Sequence, residues 1–113
     1  TIQSRGLGDV YKRQILLSDQ DAKKKGVKAK FFGIDSSTHS GAAILSKRNK
    51  SPIIYASITS KNNIYEVEFV KINTSGSIND IVQQYTSEIE KTIINNPEQY
   101  FWFHKRWKSV KAY

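Results

Sequence analysis

The stretch from residue 53 to residue 95 constrains the fold of this chain most, because two strand patterns and a helix pattern follow one another there. Residues 53–58 form a continuous apolar run, which is typical of a strand that is buried on both faces. After a turn at residues 61–63, apolar and acidic side chains alternate: Tyr65, Val67 and Phe69 with Glu66 and Glu68. This period of two predicts a half-exposed strand. We therefore expect a hairpin whose first strand is central in a sheet.

A helix pattern occupies residues 79–95. Apolar side chains recur there at helical spacing: Val82, Tyr85, Ile89 and Ile93. Ser77 and Asp80 have the separation of a capping box, in which each side chain accepts a hydrogen bond from the backbone of the other residue. Residues 97–107 begin with proline, which suits the first turn of a further short helix capped by Asn96. Strands that alternate with helices predict an α/β fold, here with an incomplete sheet.

The N-terminal half of the chain is more polar. Residues 15–17 form a short apolar run, as at the end of a buried strand. Five lysines fall within residues 23–30 without an apolar period, which predicts a solvated, mobile loop. Three hydroxyl side chains at residues 36–38 suit the N-cap of a short helix that starts near Gly41 and ends at the basic turn of residues 47–50.

Composition narrows the classes of function. The chain has no cysteine, which excludes disulfides, thiolate metal sites and a cysteine nucleophile. Every apolar run is shorter than the roughly 18 residues that span a bilayer. The net charge of +8 at pH 7 and the pI near 9.7 favour an anionic partner. Nucleic acid, an anionic lipid surface and a phosphorylated substrate all meet that description.

Residues 4–14 look like the in-frame translation of a transposase-type sequencing adapter rather than a natural basic leader. We therefore expect residues 1–14 to be a non-native, disordered leader. Residues 15–113 are then the C-terminal part of a single domain whose preceding part was not read.

Residues 96–108 read Asn-Pro-Glu-Gln-Tyr-Phe-Trp-Phe-His-Lys-Arg-Trp-Lys. This closely resembles the terminal motif of the lipid A biosynthesis acyltransferases, roughly His-Pro-Glu-Gln-Trp/Tyr-x-Trp-x-His-x-Arg-Trp/Phe-Lys. Three further segments resemble that family in the same order and spacing: Asp-Gln-Asp at residues 19–21, the pair Gly26-Val27, and Phe-Phe-Gly followed by Thr-x-x-Gly within residues 31–41. One position departs from the pattern, since the family often has proline where Tyr55 stands.

The resemblance implies the C-terminal portion of an acyltransferase-type α/β/α layered domain. The activity that it implies is transfer of a fatty acyl group from acyl carrier protein to a hydroxyl or hydroxyacyl group of a lipid A precursor glycolipid, in lipopolysaccharide biosynthesis. It implies no metal or nucleotide cofactor and no nucleic-acid partner. The implied location is the cytoplasmic face of the bacterial inner membrane, with the protein bound peripherally at the membrane surface or anchored through its N-terminal part.

The catalytic signature of that family is a histidine followed five positions later by aspartate or glutamate, whose carboxylate orients the imidazole as a general base. In this chain His39 is followed at that distance by Ile44, and His104 by Ser109. Neither histidine has the required partner. We therefore expect no catalytic residue in this chain and no activity from the chain alone.

Six residues are candidates for substrate binding: Phe32, Gly33, Thr38, Gly41, His104 and Arg106. By resemblance, Phe32 and Gly33 line the cleft near the acyl chain, whereas apolar pairs in a small domain more often belong to the core. Thr38 and Gly41 lie where N–H groups of a helix start attract an anionic or acyl oxygen, or serve only as cap and packing site. Arg106 and His104 suit phosphates of the glycolipid, or a solvated surface.

Two other functions stay open from the residues alone. A small basic nucleic-acid-binding module would stack bases on aromatic rings and use lysines to contact phosphates. A peripheral membrane-binding segment without chemistry would place Trp102 and Trp107 at headgroup level. The ordered motifs favour the acyltransferase over both.

Overall fold

The computed structural model of the chain describes residues 2–4, 13–16, 21–100 and 105–107. The described residues form the strands β1 (Ile2–Ser4), β2 (Arg13–Ile15), β3 (Val27–Phe31), β4 (Ile34–Thr38), β5 (Ile53–Lys61) and β6 (Ile64–Ile72). Helix α1 spans Gly41–Asn49 and helix α2 spans Ile78–Asn95. Lys23–Lys25 and Pro97–Gln99 are short 3-10 turns. Helices and strands are mixed, and the predicted α/β class is confirmed.

Each strand pairs with its neighbour along the chain. β1 and β2, β3 and β4, and β5 and β6 form antiparallel two-stranded sheets. The first pair overlaps the leader that we expect at residues 1–14, and both the disorder and the non-native origin of that leader stay predictions. The leader boundary at residue 15 stays a prediction.

The two longer hairpins turn through left-handed residues. Asn62 and Asn63 have φ angles of 52° and 61°, the conformation that a two-residue turn needs and that asparagine tolerates. The predicted hairpin of residues 53–72 is therefore confirmed. The β3–β4 hairpin turns at Phe32 and Gly33, with φ angles of 52° and 76°. Glycine adopts this conformation freely, whereas a bulky side chain seldom does.

Helix α2 begins with the predicted capping box. The Asp80 N–H donates to Ser77 Oγ over 3.2 Å, and the Ser77 N–H donates to Asp80 Oδ2 over 3.0 Å. The pKa of the Asp80 carboxyl is lower than its ordinary value. The main cause is the hydrogen bond from the Ser77 backbone, and the hydrogen bond with the Ser77 hydroxyl is the second. The helix buries one face: Ile81, Val82, Tyr85, Thr86, Ile89 and Ile93. The four apolar positions predicted from spacing are among them.

The core lies along this face of α2 in two parts. One part joins the first half of α2 to both helix α1 and the hairpins: Ala29, Ala43, Ile72, Ile81, Val82 and Tyr85. In the other, Phe31 packs on Ile89 and Ile93. The Phe31 ring centre lies 5.3 Å from that of Trp107, so the end of the chain closes this second part.

Strand β5 is neither central nor buried on both faces, so that prediction is wrong. Ile54 and Ile58 remain 62% and 68% exposed. The alternate side chains turn inwards, where the Tyr55 hydroxyl lies 2.8 Å from Thr92 Oγ1. Among the described residues, α2 covers one face of this hairpin. Every second side chain of the apolar run at residues 53–58 therefore points away from the core and stays exposed.

Two local predictions in the N-terminal half are also wrong. Residues 36–38 end strand β4 instead of capping a helix, and the N-cap of α1 is Ser40. Residues 23–30 are not one loop, because the last four of them belong to β3. Strand β3 forms without an apolar period because its backbone pairs with β4.

Among the described residues, the last helix prediction holds for Pro97–Gln99, while residues 101–104 lie outside the described residues. Pro97–Gln99 is a 3-10 turn, Asn96 forms no side-chain cap bond, and Tyr100 is extended. Proline at the first position starts the turn as expected.

Three glutamines satisfy the backbone at strand edges. In each case the side-chain amide accepts a bond from the N–H, and donates one to the C=O, of the same residue. Gln83 holds Lys30 over 2.8 and 3.0 Å, Gln84 holds Asn73 over 3.1 and 2.9 Å, and Gln99 holds Ser60 over 2.8 and 2.9 Å. Each amide takes the place of a neighbouring strand, so these outward backbone groups do not stay open.

We predict that Ser77→Ala lowers the free energy of unfolding by about 1 kcal/mol, because the start of α2 loses its side-chain cap. Urea denaturation followed by circular dichroism measures the change. Ser75→Ala is the control, since the Ser75 hydroxyl bonds the exposed side chain of Asn73 and caps no helix. The pKa of the Asp80 carboxyl is lowered, so the stability that its carboxylate contributes is present at neutral pH. This stability is lost as the pH falls through the lowered pKa. Equal effects of the two serine substitutions would contradict the capping role.

Candidate functional site

The carbonyl oxygen of Ser37 is the point where three distant segments meet. It accepts one hydrogen bond from the Ala22 N–H over 3.1 Å and another from Arg106 Nη1 over 2.7 Å. The Ser37 hydroxyl donates to the Lys23 carbonyl over 2.5 Å. Ala22 and Lys23, strand β4 and the C-terminal motif are thus joined at one residue.

Arg106 is buried beside this residue, with 2% of its surface exposed. Its Nη2 donates to Thr38 Oγ1 over 2.9 Å. The guanidinium carbon lies 5.2 Å from the Phe31 ring centre, within the range of a cation–π contact. Thr38 is fully buried too, and its hydroxyl lies 3.2 Å from Ser36 Oγ. Because a buried cation needs a partner for its N–H groups, these oxygens fix where the guanidinium sits.

Gly26 lets the same segments approach closely. A Cβ atom built on Gly26 would lie 2.4 Å from Ser37 Oγ, 2.6 Å from Ala22 Cβ and 2.8 Å from the Thr38 carbonyl oxygen. Ordinary van der Waals contacts are longer than all three distances. Any side chain at this position would push β4 away from Ala22.

We call the group of Ala22, Gly26, Ser37, Thr38 and Arg106 the arginine junction. Gly26, Thr38 and Arg106 are motif positions of the sequence, whereas Ala22 directly follows the aspartate-glutamine segment and Ser37 directly precedes Thr38. The burial of Arg106 rules out the solvated-surface alternative for this residue. Contact of Arg106 or Thr38 with a substrate stays a prediction.

The other candidates lie elsewhere. Phe32 and Gly33 form the exposed turn of the β3–β4 hairpin, where the Phe32 N–H donates to Glu90 Oε1 over 2.7 Å. Thr38 lies five positions after Gly33, or about 16 Å along the strand, so this turn and the arginine junction are distinct places. Gly41 is the exposed first residue of α1. His104 lies outside the described residues.

The loop between β4 and α1 is held from α2. The Tyr85 hydroxyl donates to the His39 carbonyl, and burial raises the pKa of that hydroxyl above its ordinary value. The tyrosine therefore stays neutral and keeps its donor at physiological pH. The His39 side chain is exposed.

Periodicity missed the side chains that hold these hairpins. Glu90 and Gln83 fasten the β3–β4 hairpin, yet both read as ordinary polar positions on an amphipathic helix. For Gln99, its place in the terminal motif was the one feature of the sequence that indicated a specific partner for its side-chain amide. In the described ranges, His, Asp and Glu side chains nowhere gather in groups of three that can hold a metal ion.

Neither α1 nor α2 is both long enough and apolar enough to cross a membrane.

The fold and the junction together define a mixed α/β unit whose hairpins are fastened to one long helix and to a buried arginine. The family model of the bacterial lipid A biosynthesis acyltransferases matches residues 12–109, and the chain belongs to this family. The match contains every described residue of the arginine junction. Comparison with curated proteins found no match.

We predict that Gly26→Ala destabilises the chain by roughly 1–3 kcal/mol, the usual cost of overpacking. Thermal or urea unfolding measures the change. Gly41→Ala is the matched control, because the atom nearest to a Cβ there is Leu16 Cδ1 at 4.0 Å and alanine favours a helix. A neutral Gly26→Ala variant would show that the close approach at the junction is not required.

We predict that Thr38→Val lowers the free energy of unfolding by about 1.5–3 kcal/mol, since it removes a hydroxyl that accepts a bond from a charged donor. The matched control is Thr59→Val on half-buried β5, where a change within about 0.5 kcal/mol is expected. Similar losses at both threonines would contradict a specific bond between Thr38 and Arg106.

Proposed function

We propose that this chain forms the part of an acyltransferase that shapes the substrate cleft, in an enzyme that moves a fatty acyl group from acyl carrier protein to a hydroxyl of a lipid A precursor. The observation that carries the proposal is the arginine junction. Residues in or beside four family-like segments meet there, three of the segments within residues 19–41 and the fourth at residues 96–108. Convergence of these segments supports a shared structural role within the family to which the chain belongs.

The β3–β4 turn is the part of this framework that we propose to meet the acyl chain. Phe32 is 37% exposed and holds a left-handed conformation that a phenylalanine seldom adopts. The Glu90 carboxylate fastens its N–H, and the Phe31 ring meets the Phe32 ring edge-on at 4.8 Å. An unfavourable backbone conformation that neighbouring groups maintain is a common mark of a working site.

The general base lies outside this sequence in our proposal. Neither histidine has a carboxylate five positions on, so the chain alone lacks the pair that would take the proton from the attacking hydroxyl. The junction then positions the cleft, and the His-x-x-x-x-Asp/Glu pair performs the proton transfer. We further propose that the enzyme works at the cytoplasmic face of the inner membrane, where its glycolipid acceptor is held.

An acyl transfer assay tests the proposal. The chain is incubated with labelled acyl carrier protein and a lipid A precursor, first alone and then completed at its N-terminal side by a family segment that carries the histidine motif. We expect no product from the chain alone and acylated glycolipid from the completed enzyme. Acyl transfer by the chain alone would contradict the proposal, as would a folded completed enzyme without activity.

We predict that Phe32→Asn in the completed enzyme lowers acyl transfer about tenfold or more, because the ring that meets the acyl chain is lost. Asparagine accepts the left-handed conformation, so the turn itself is kept. Ile34→Thr is the matched control, since Ile34 is also 37% exposed on the same hairpin. Equal activity of the two variants would remove Phe32 from the site.

A further inference from the structure

The carboxylate of Glu90 binds a backbone N–H group, although the chain is rich in cations. Its Oε1 accepts a hydrogen bond from the Phe32 N–H over 2.7 Å. The sequence has 18 lysines and arginines against 10 acids, yet among the described residues Glu90 forms no ion pair. The ammonium of Lys30, two positions before Phe32, pairs with Asp35 instead. Because a charged acceptor strengthens a hydrogen bond, the Phe32 N–H is held firmly.

Helix α2 holds the β3–β4 hairpin at two places along one side. Gln83 and Glu90 stand seven positions apart, which puts them on the same side of the helix. They bond the backbones of Lys30 and Phe32, which are two positions apart. Helix α2 is itself packed in the core. The backbone of Phe32 is therefore fixed relative to the core through Glu90.

The contact at Phe32 differs in kind from the contacts that the glutamines make. Gln83 bonds both the N–H and the C=O of Lys30, which lies in strand β3. In a left-handed residue, as in a helix, the N–H and the C=O point in opposite directions, so one amide cannot reach both. A carboxylate is an acceptor only, and Glu90 bonds the Phe32 N–H alone. The side chain at position 90 thus suits the left-handed turn.

We propose that Glu90 is a positioning residue of the acyl-chain site, because it maintains the conformation in which the Phe32 ring meets the acyl chain. This inference rests on the proposed function, in which Phe32 contacts that chain. Phenylalanine favours a negative φ, so the observed angle of 52° has to be maintained by its surroundings. Without the carboxylate, the turn relaxes towards a negative φ and the ring leaves its edge-on contact with Phe31.

A purely structural role of Glu90 predicts a different result. Loss of a contact that only stabilises the hairpin impairs every acyl donor alike. Loss of the position of the ring impairs most the donors whose chains bury most surface against it. Burial grows with each methylene group, so a dodecanoyl chain loses more than a hexanoyl chain. Gln83 is the comparison within the same hairpin, because it binds Lys30 and does not contact the Phe32 N–H.

Amide hydrogen exchange of the full chain, followed by nuclear magnetic resonance, tests the contact itself. We expect the Phe32 N–H to exchange about tenfold faster in Glu90→Ala than in the unaltered chain. Glu90→Gln keeps an acceptor and should keep most of the protection. Gln83→Ala should expose the Lys30 N–H and leave the exchange of Phe32 unchanged. An unchanged rate at Phe32 in Glu90→Ala would overturn the proposal.

Donor binding to the completed enzyme tests the positioning role. The probes are the dodecanoyl and hexanoyl forms of acyl carrier protein, and the dissociation constant is measured for each. In Glu90→Ala we expect the dodecanoyl form to bind about tenfold more weakly and the hexanoyl form less than about threefold more weakly. Both constants should stay within about threefold in Glu90→Gln and in Gln83→Ala. Circular dichroism checks that the variants are folded.

Equal weakening of the two donors in Glu90→Ala, or an unchanged constant for the dodecanoyl form, would overturn the proposal. The binding assay contains no glycolipid acceptor, so it does not depend on acyl transfer. A completed enzyme that binds the donors as expected but forms no product would contradict the proposed function and support the role of Glu90. Normal transfer with equal effects on both donors would overturn the role of Glu90 alone, and binding of neither donor would contradict both.

Discussion

A buried guanidinium that needs oxygen partners is the constraint on which the arrangement of this chain depends. Arg106 meets it by donating to the Ser37 carbonyl and to the Thr38 hydroxyl, at the end of a strand that lies almost seventy positions earlier. The same carbonyl also holds Ala22, and Gly26 keeps the approach free of a side chain. These bonds tie the C-terminal motif to the β3–β4 hairpin and to the segment around Ala22.

The two longer hairpins, β3–β4 and β5–β6, are fastened from helix α2 and from the turn after it. Gln83, Gln84 and Gln99 each satisfy both backbone groups of one residue, and Glu90 adds a bond at the Phe32 turn. Polar side chains thus form the hydrogen bonds to edge backbone groups that neighbouring strands form in a larger sheet. This arrangement leaves faces as well as edges to be covered, and it is the reason why the β5–β6 hairpin can present an apolar surface.

Local chemistry made part of this structure predictable. The capping box at Ser77, the helix that follows it and the asparagine turn each depend on residues close in sequence. The burial of β5 was predicted wrongly, because an apolar run does not state how many faces a neighbouring element covers. The sequence suggested a surface or phosphate-binding role for Arg106. Its hydrogen-bond partners Ser37 and Thr38 could not be predicted, because only the tertiary fold brings them to the guanidinium. At Phe32 and Gly33 the family resemblance indicated importance, but the left-handed turn could be seen only in the backbone.

A double-mutant cycle between Thr38 and Arg106 tests the account most directly. The free energies of unfolding are measured for the unaltered chain, for Thr38→Val, for Arg106→Met and for the double variant. If the guanidinium and the hydroxyl act as one interaction, the double variant loses less than the two single variants together, with a coupling of about 1 kcal/mol or more. Losses that add within about 0.5 kcal/mol would show that the two residues act independently and would contradict the junction.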